Sequence, residues 1–138
     1  MPKSVDPTPQ SVKSLVEKVP SGVPVVMLNL LRFRARAAYP AERRQPDCSG
    51  RDAYAAYGRA TQPHLQQVGG RIIWQGSARH CFIAPEGEDW DEVLLVEYPS
   101  KEAFLAMLKS PPYQAITFHR TAALDDARLI VTLQQAAS

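Results

Sequence analysis

The sequence predicts a single α+β domain built on a four-stranded antiparallel sheet. Three observations predict it. Strand-length apolar segments and amphipathic segments run strand–helix–strand–strand–helix–strand, with an extra helix before the last strand. At 138 residues and 45% hydrophobic content, the chain suits one domain that fills its own core. The first and third strands are apolar on both faces, so each side of the sheet needs a cover.

Each element follows from its residues. Residues 1–10, rich in proline and polar groups, read as a loose arm. Val12, Leu15, Val16 and Val19 share one face of a short helix from Ser11 to Val19. Residues 1–22 are thus an appendage to a domain over 23–138. The first strand spans Val23 to Phe33. Val25, Met27, Asn29, Leu31 and Phe33 lie on one face, and Val26, Leu28, Leu30 and Arg32 on the other. Helices cover one side of such a strand, and a second copy of the sheet is the natural cover for the other.

Ala35 to Ser49 is a long charged loop, a lid or an interface arm. Ser49 with Asp52 resembles a capping box that opens a helix with Tyr54, Tyr57, Thr61, Leu65 and Val68 inward. Pro63 predicts a kink, and Gly69-Gly70 ends the helix. The second strand is read from Arg71 to Ala84, with Gly76 as a candidate bulge. The third runs from Glu92 to Tyr98. Ser100 caps a helix that buries Phe104, Met107 and Leu108. Pro111 opens another helix with Tyr113, Ile116, Arg120 and Leu124 inward. Asp125 and Asp126 turn the chain into a last strand, Ala127 to Leu133. This order is the split βαβ, or ferredoxin-like, arrangement.

Composition narrows the function. Sixteen basic and fourteen acidic residues give a net charge of +2, too balanced for a nucleic-acid binder. The arginines at 32, 34, 36, 43, 44 and 51 read as a solvated loop, with a phosphate contact as the minority alternative. Cys48 and Cys81 form no CxxC and read as free thiols of a cytoplasmic protein. The first residues lack a secretory apolar run, and no segment approaches the roughly 18 apolar residues of a membrane helix. There is no P-loop, GxGxxG fingerprint, nucleophile elbow or HExxH spacing, so no cofactor and no metal is expected.

A resemblance adds to this. V-V-M-L-N-L-L-R-F, Y-A-A-Y, G-G-R-I-I-W-Q-G, E-D-W-D-E-V-L-L-V-E-Y-P-S, S-P-P-Y-Q-A-I and H-R-T-A-A-L-D-D-A-R-L-I together resemble the family numbered 1330 among the domains of unknown function. The resemblance covers most of Val23 to Leu133. It departs in the long 35–49 connection and the N-terminal helix. It implies a dimeric α+β barrel: two ferredoxin-like protomers packed sheet to sheet, each with a ligand cavity between sheet and helices. Related branches include cofactor-independent monooxygenases, muconolactone isomerase-like enzymes and haem-binding proteins. The family supplies no catalytic motif to carry over.

Seven residues are candidates for chemistry. Asn29 either satisfies buried backbone or donates to a substrate carbonyl or enolate. Arg120, on an apolar helix face, needs a partner: Glu97 or Asp125 inside the protein, or a ligand carboxylate. His64 is the first choice of general base, and Glu97 the second. Tyr57, Trp74 and Tyr113 are core residues or cavity walls. His64, His80 and His119 lie on three elements with no metal-site spacing. Two functions follow. One is a homodimeric enzyme acting without cofactor, by proton transfer or oxygenation, on a small organic acid or aromatic. The other is a non-catalytic ligand-binding or interaction module. A haem-binding oxidase ranks third. Nucleic acid and membrane are not expected partners.

Overall fold

The computed structural model describes residues 2–136. Its sheet holds β1 (Val25–Phe33), β2 (Arg71–Ser77), β3 (Glu92–Tyr98) and β4 (Leu124–Thr132), in the order β2-β3-β1-β4, all neighbours antiparallel. The helices are α1 (Pro9–Lys18), α2 (Gly50–Gln67), α3 (Lys101–Lys109), α4 (Pro111–Gln114) and α5 (Phe118–Ala123). This is the ferredoxin-like α+β fold expected from the element order.

The alternation along β1 sets the layers. Val25, Met27, Asn29 and Leu31 are buried, while Val26, Leu28 and Leu30 are only partly so. The register places Leu94, Val96 and Tyr98 of β3, and Leu129 and Val131 of β4, on the first of these faces. The main core forms there, with Leu15 of α1, Leu65 of α2, and Phe104, Leu105 and Met107 of α3. A second cluster joins Leu31, Ala53, Ala123, Leu124 and Ala127. Neither cluster contains Val26, Leu28, Leu30, Val93 or Leu95. The opposite face of the sheet therefore carries apolar side chains that no helix among the described residues covers.

Several boundaries differ from expectation. The arm is not loose. The Ser4 N–H donates to Asp126 Oδ1 (2.9 Å), and the Ala127 N–H donates to the Ser4 carbonyl (2.7 Å). Thr8, not Ser11, sets the start of α1, through a reciprocal capping box with Ser11. Ser49 caps α2 as expected, accepting from the Asp52 N–H (3.0 Å), and the helix continues through Pro63. β2 stops at Ser77, which pairs with Glu92 at the start of β3; six of its seven residues have partners there. Beyond Ala78 the chain leaves the sheet, and Phe82 and Ile83 are almost fully exposed. The bulge lies between Ile72 and Trp74, not at Gly76, whose bare Cα accommodates the Trp74 ring. The helix expected from Pro111 to Leu124 is two short helices. Asp125 and Asp126 stand inside β4, which begins at Leu124. Their carboxylates fix Lys3, Arg32 and Arg128 there, so they are strand residues held by ion pairs rather than turn formers.

Candidate functional site: a tyrosine- and arginine-lined cavity

A cavity of about 1200 Å³ lies between the helix-side face of the sheet and the helices. Its floor is Met27, Asn29, Leu94, Val96, Leu129 and Val131. Tyr54, Tyr57, Thr61 and Leu65, at helical spacing along α2, form one wall. Tyr113 and Arg120 close it from the α4–α5 segment, and α1 and the arm complete it. Apolar walls with a few convergent polar groups are the general make-up of small-molecule sites.

The polar groups converge from different elements. Tyr57 and Tyr113 share a hydrogen bond between their hydroxyls at 2.7 Å. Burial, followed by Tyr57, raises the Tyr113 pKa far above the usual phenol range. Burial likewise raises Tyr54, against the nearby charge of Arg120. Both phenols stay protonated through neutral pH and act as donors. The Arg120 side chain is 13% exposed. Its Nη1 donates to the Val5 carbonyl and lies 3.9 Å from Asp6 Oδ1. Thr61 Oγ1 is buried and has no hydrogen-bond partner among the described residues.

Four of the seven expected residues meet here: Asn29, Tyr57, Tyr113 and Arg120. Of the two roles expected for Asn29, the structure shows the first, service to buried backbone. Its Nδ2 donates to the carbonyls of Met27 (3.2 Å) and Leu94 (3.3 Å), so both amide hydrogens are committed to the backbone. What remains for a ligand is an acceptor oxygen, not a donor. The other three stand elsewhere. Trp74, 53% exposed, belongs to the opposite sheet face because the β2 bulge sets it opposite Leu95. Glu97 is on that same outer face, paired with Arg71 at 3.0 Å, so it is neither cavity base nor Arg120 partner. Asp125 is paired with Lys3 and Arg32 and does not serve Arg120 either. His64 stacks edge-on to Tyr113 with centroids 6.2 Å apart, but does not line the cavity. Tyr54, Thr61 and the arm also line the cavity and were not among the seven expected residues. Tyr54 and Thr61 were legible as members of the inward face of α2. No signal in the sequence points to the arm.

The 35–49 connection is not a lid on this cavity. It packs near α5, where the Tyr39 hydroxyl meets His119 Nδ1 at 2.6 Å and the Ala38 N–H donates to the Ala122 carbonyl. Among the described residues no cluster of His, Cys, Asp or Glu is arranged to hold a metal. No helix there is long and apolar enough to cross a membrane.

A family model, Domain of unknown function (DUF1330), matches residues 45–133, more than half of the chain. The chain belongs to this DUF1330 family. Among solved structures it is similar to RPA0582, a protein of unknown function from Rhodopseudomonas palustris. The two are 38% identical over 99% of this chain and 100% of that chain, with a TM-score of 0.88. The methylated form of RPA0582 gives 40% identity, again with a TM-score of 0.88, over 99% of this chain and 98% of that one. This likeness extends over the N-terminal helix and the 35–49 connection, which lie largely or wholly outside the DUF1330 match. More distant structures share the fold alone. Hydroxynitrile lyase from Passiflora edulis is 13% identical over 85% of this chain and 98% of that one, with a TM-score of 0.55. SnoaB, a cofactor-independent oxygenase from Streptomyces nogalater, is 13% identical over 83% of this chain and 96% of that one, with a TM-score of 0.50. No curated protein matches the chain.

Proposed function

We propose that this DUF1330 protein is a homodimer, acting in the cytoplasm, whose cavity binds a small organic acid with an apolar or aromatic body. One observation carries the reading. Arg120 is a nearly buried guanidinium on the cavity wall whose neighbours, the Val5 carbonyl, the Tyr54 phenol and Asp6 at 3.9 Å, do not use all five of its donors. Its one carboxylate neighbour, Asp6, stands 3.9 Å away and is largely exposed, which leaves donors for a second anion. Lys18, Arg59 and Arg120 line the cavity against one carboxylate, Asp6, so the wall favours anions. The apolar floor and the aromatic rings receive the ligand's body, and Tyr54 and one hydroxyl of the hydrogen-bonded Tyr57–Tyr113 pair donate to its oxygens.

Binding without turnover fits the placement of titratable groups better than proton transfer does. Among the described residues no histidine lines the cavity, and His64 and Glu97 both lie outside it. The second reading is cofactor-independent chemistry on a ligand that ionises itself. It is favoured by the neutral phenols beside Arg120, which are suited to stabilise a developing enolate. Fold likeness to an oxygenase and a lyase is compatible with it.

Calorimetric titration with benzoate, phenylacetate and 2-naphthoate tests the reading. Saturable binding is expected, and it disappears in Arg120→Ala. Equal affinity for these acids and their uncharged amides would remove the anion site. Oxygen uptake or product formation with a bound acid would move the assignment to the second reading.

The dimer rests on the uncovered sheet face. Val26, Leu28, Leu30, Val93 and Leu95 form an apolar surface flanked by Ile130 and Trp74. Two such sheets packed face to face bury it.

A further inference from the structure

We propose that the N-terminal arm is a displaceable lid on this cavity, and that Asp6 holds the place a ligand carboxylate takes at Arg120. The inference rests on the binding reading above. Ser4, Val5, Asp6 and Pro7 are cavity wall. Arg120 makes its hydrogen bond to this arm, at the Val5 carbonyl, and the Asp6 carboxylate lies 3.9 Å from the same Nη1. Asp6 is steered there by Thr121, whose hydroxyl donates to Asp6 Oδ1 at 3.0 Å. At 3.9 Å the carboxylate is too far for a good hydrogen bond, so it neutralises the guanidinium without saturating its donors. An entering carboxylate that takes the fork of Arg120 meets both the Val5 carbonyl and the like charge of Asp6.

The arm is built to move independently of the helix after it. Its attachments are polar and its residues mostly exposed; only Val5 packs against a buried cluster. Segments held by few apolar contacts open locally at low cost. The helix α1 is anchored separately, by Leu15 in the main core and by Lys101 Nζ, which donates to the carbonyls of Val16 and Val19. The Thr8–Ser11 capping box closes the helix start without help from the arm. Release of residues before Thr8 therefore leaves α1 in place and opens the cavity beside Arg120.

Two measurements on the full chain test this, with benzoate, phenylacetate and 2-naphthoate as probes. Asp6→Asn removes the competing charge and tightens carboxylate binding by about 3- to 10-fold, as expected for one screened like charge near 4 Å. Saturation with a carboxylate that binds speeds amide exchange at Ala127, whose N–H is held by the Ser4 carbonyl, while the amides of α1 keep their protection. Equal affinities in wild type and Asp6→Asn, or slower exchange at Ala127 on binding, would overturn the lid and leave the binding site standing. No carboxylate binding by either protein would overturn the binding site and the lid together.

Discussion

At the scale of single residues, Arg120 decides how the cavity is read. Its partner is the arm, 115 positions away in sequence, and neither of the carboxylates expected for it. The helical spacing of Tyr113, Ile116 and Arg120 correctly pointed inward, because an apolar stripe does not depend on where a helix is interrupted. The partner was illegible, because a polar arm gives no periodic signal. Arg120→Lys replaces a planar fork with a point charge, and carboxylate affinity is expected to fall about tenfold or more by calorimetry. Gly50 is a stability-critical position of another kind. Its N–H donates to the Arg34 carbonyl at 2.9 Å, and an added Cβ would stand 2.3 Å from that oxygen and 2.5 Å from the Ala123 carbonyl. Both contacts are backbone and cannot turn away. Gly50→Ala is expected to lower stability by about 1–3 kcal/mol in urea denaturation, and an unchanged midpoint would show that the start of α2 shifts freely.

At the scale of elements, the caps of α2 and α3 were legible, while the Thr8 cap of α1 was not. Ser49 and Ser100 both accept from the N–H three residues on. These two caps are local chemistry, so sequence reads them well. The short α4 and α5 were read as one helix because Ile116 and Arg120 keep the helical stripe across the break. A buried lysine is the opposite case. Lys101 stands in the first turn of α3, yet it is buried at 6% exposure and caps the end of α1 from another helix. Lys101→Met keeps the stem and removes the donors. It is expected to cost about 1.5–3 kcal/mol and to raise amide exchange in α1 first. Pro63 gives the reverse prediction. It interrupts the hydrogen-bonding of a continuous helix at an exposed position, so Pro63→Ala is expected to stabilise the protein, by up to about 3 kcal/mol. A lower melting midpoint in that variant would mean that the proline is accommodated without strain.

At the scale of the whole molecule, the order of strands and helices along the chain and the ferredoxin-like class were legible in apolar patterning, because burial of a strand face is recorded at every second residue. The proposed dimer has a direct test. Leu95→Asp places a charge at the centre of the uncovered face and is expected to give a monomer by analytical ultracentrifugation, with its far-ultraviolet circular dichroism intact. A wild-type monomer at micromolar concentration would remove the proposal. The arm contributes a pH dependence. Asp126 is held below its ordinary value of 3.8. Its burial acts in the other direction and is outweighed by hydrogen bonds from the Ser4 and Ala127 N–H groups and from Arg128. Asp125 is also depressed, chiefly by Lys3. The unfolded chain takes up these protons first as pH falls. The stabilisation is therefore complete above about pH 3.8 and declines below it, through the depressed native values. Amide exchange at Ala127 is expected to accelerate in this acid window before global unfolding.

The alternation along β1 has a consequence for redesign. Odd-numbered positions from Val25 to Leu31 touch the core or the ligand space, and even-numbered ones from Val26 to Leu30 touch the surface proposed for a second copy. A nine-residue ribbon thus carries two separate sets of instructions, interleaved and independently editable. Ligand preference could be rewritten at Met27 and Asn29 while assembly is kept, or assembly rewritten at Leu28 while the chamber keeps its shape.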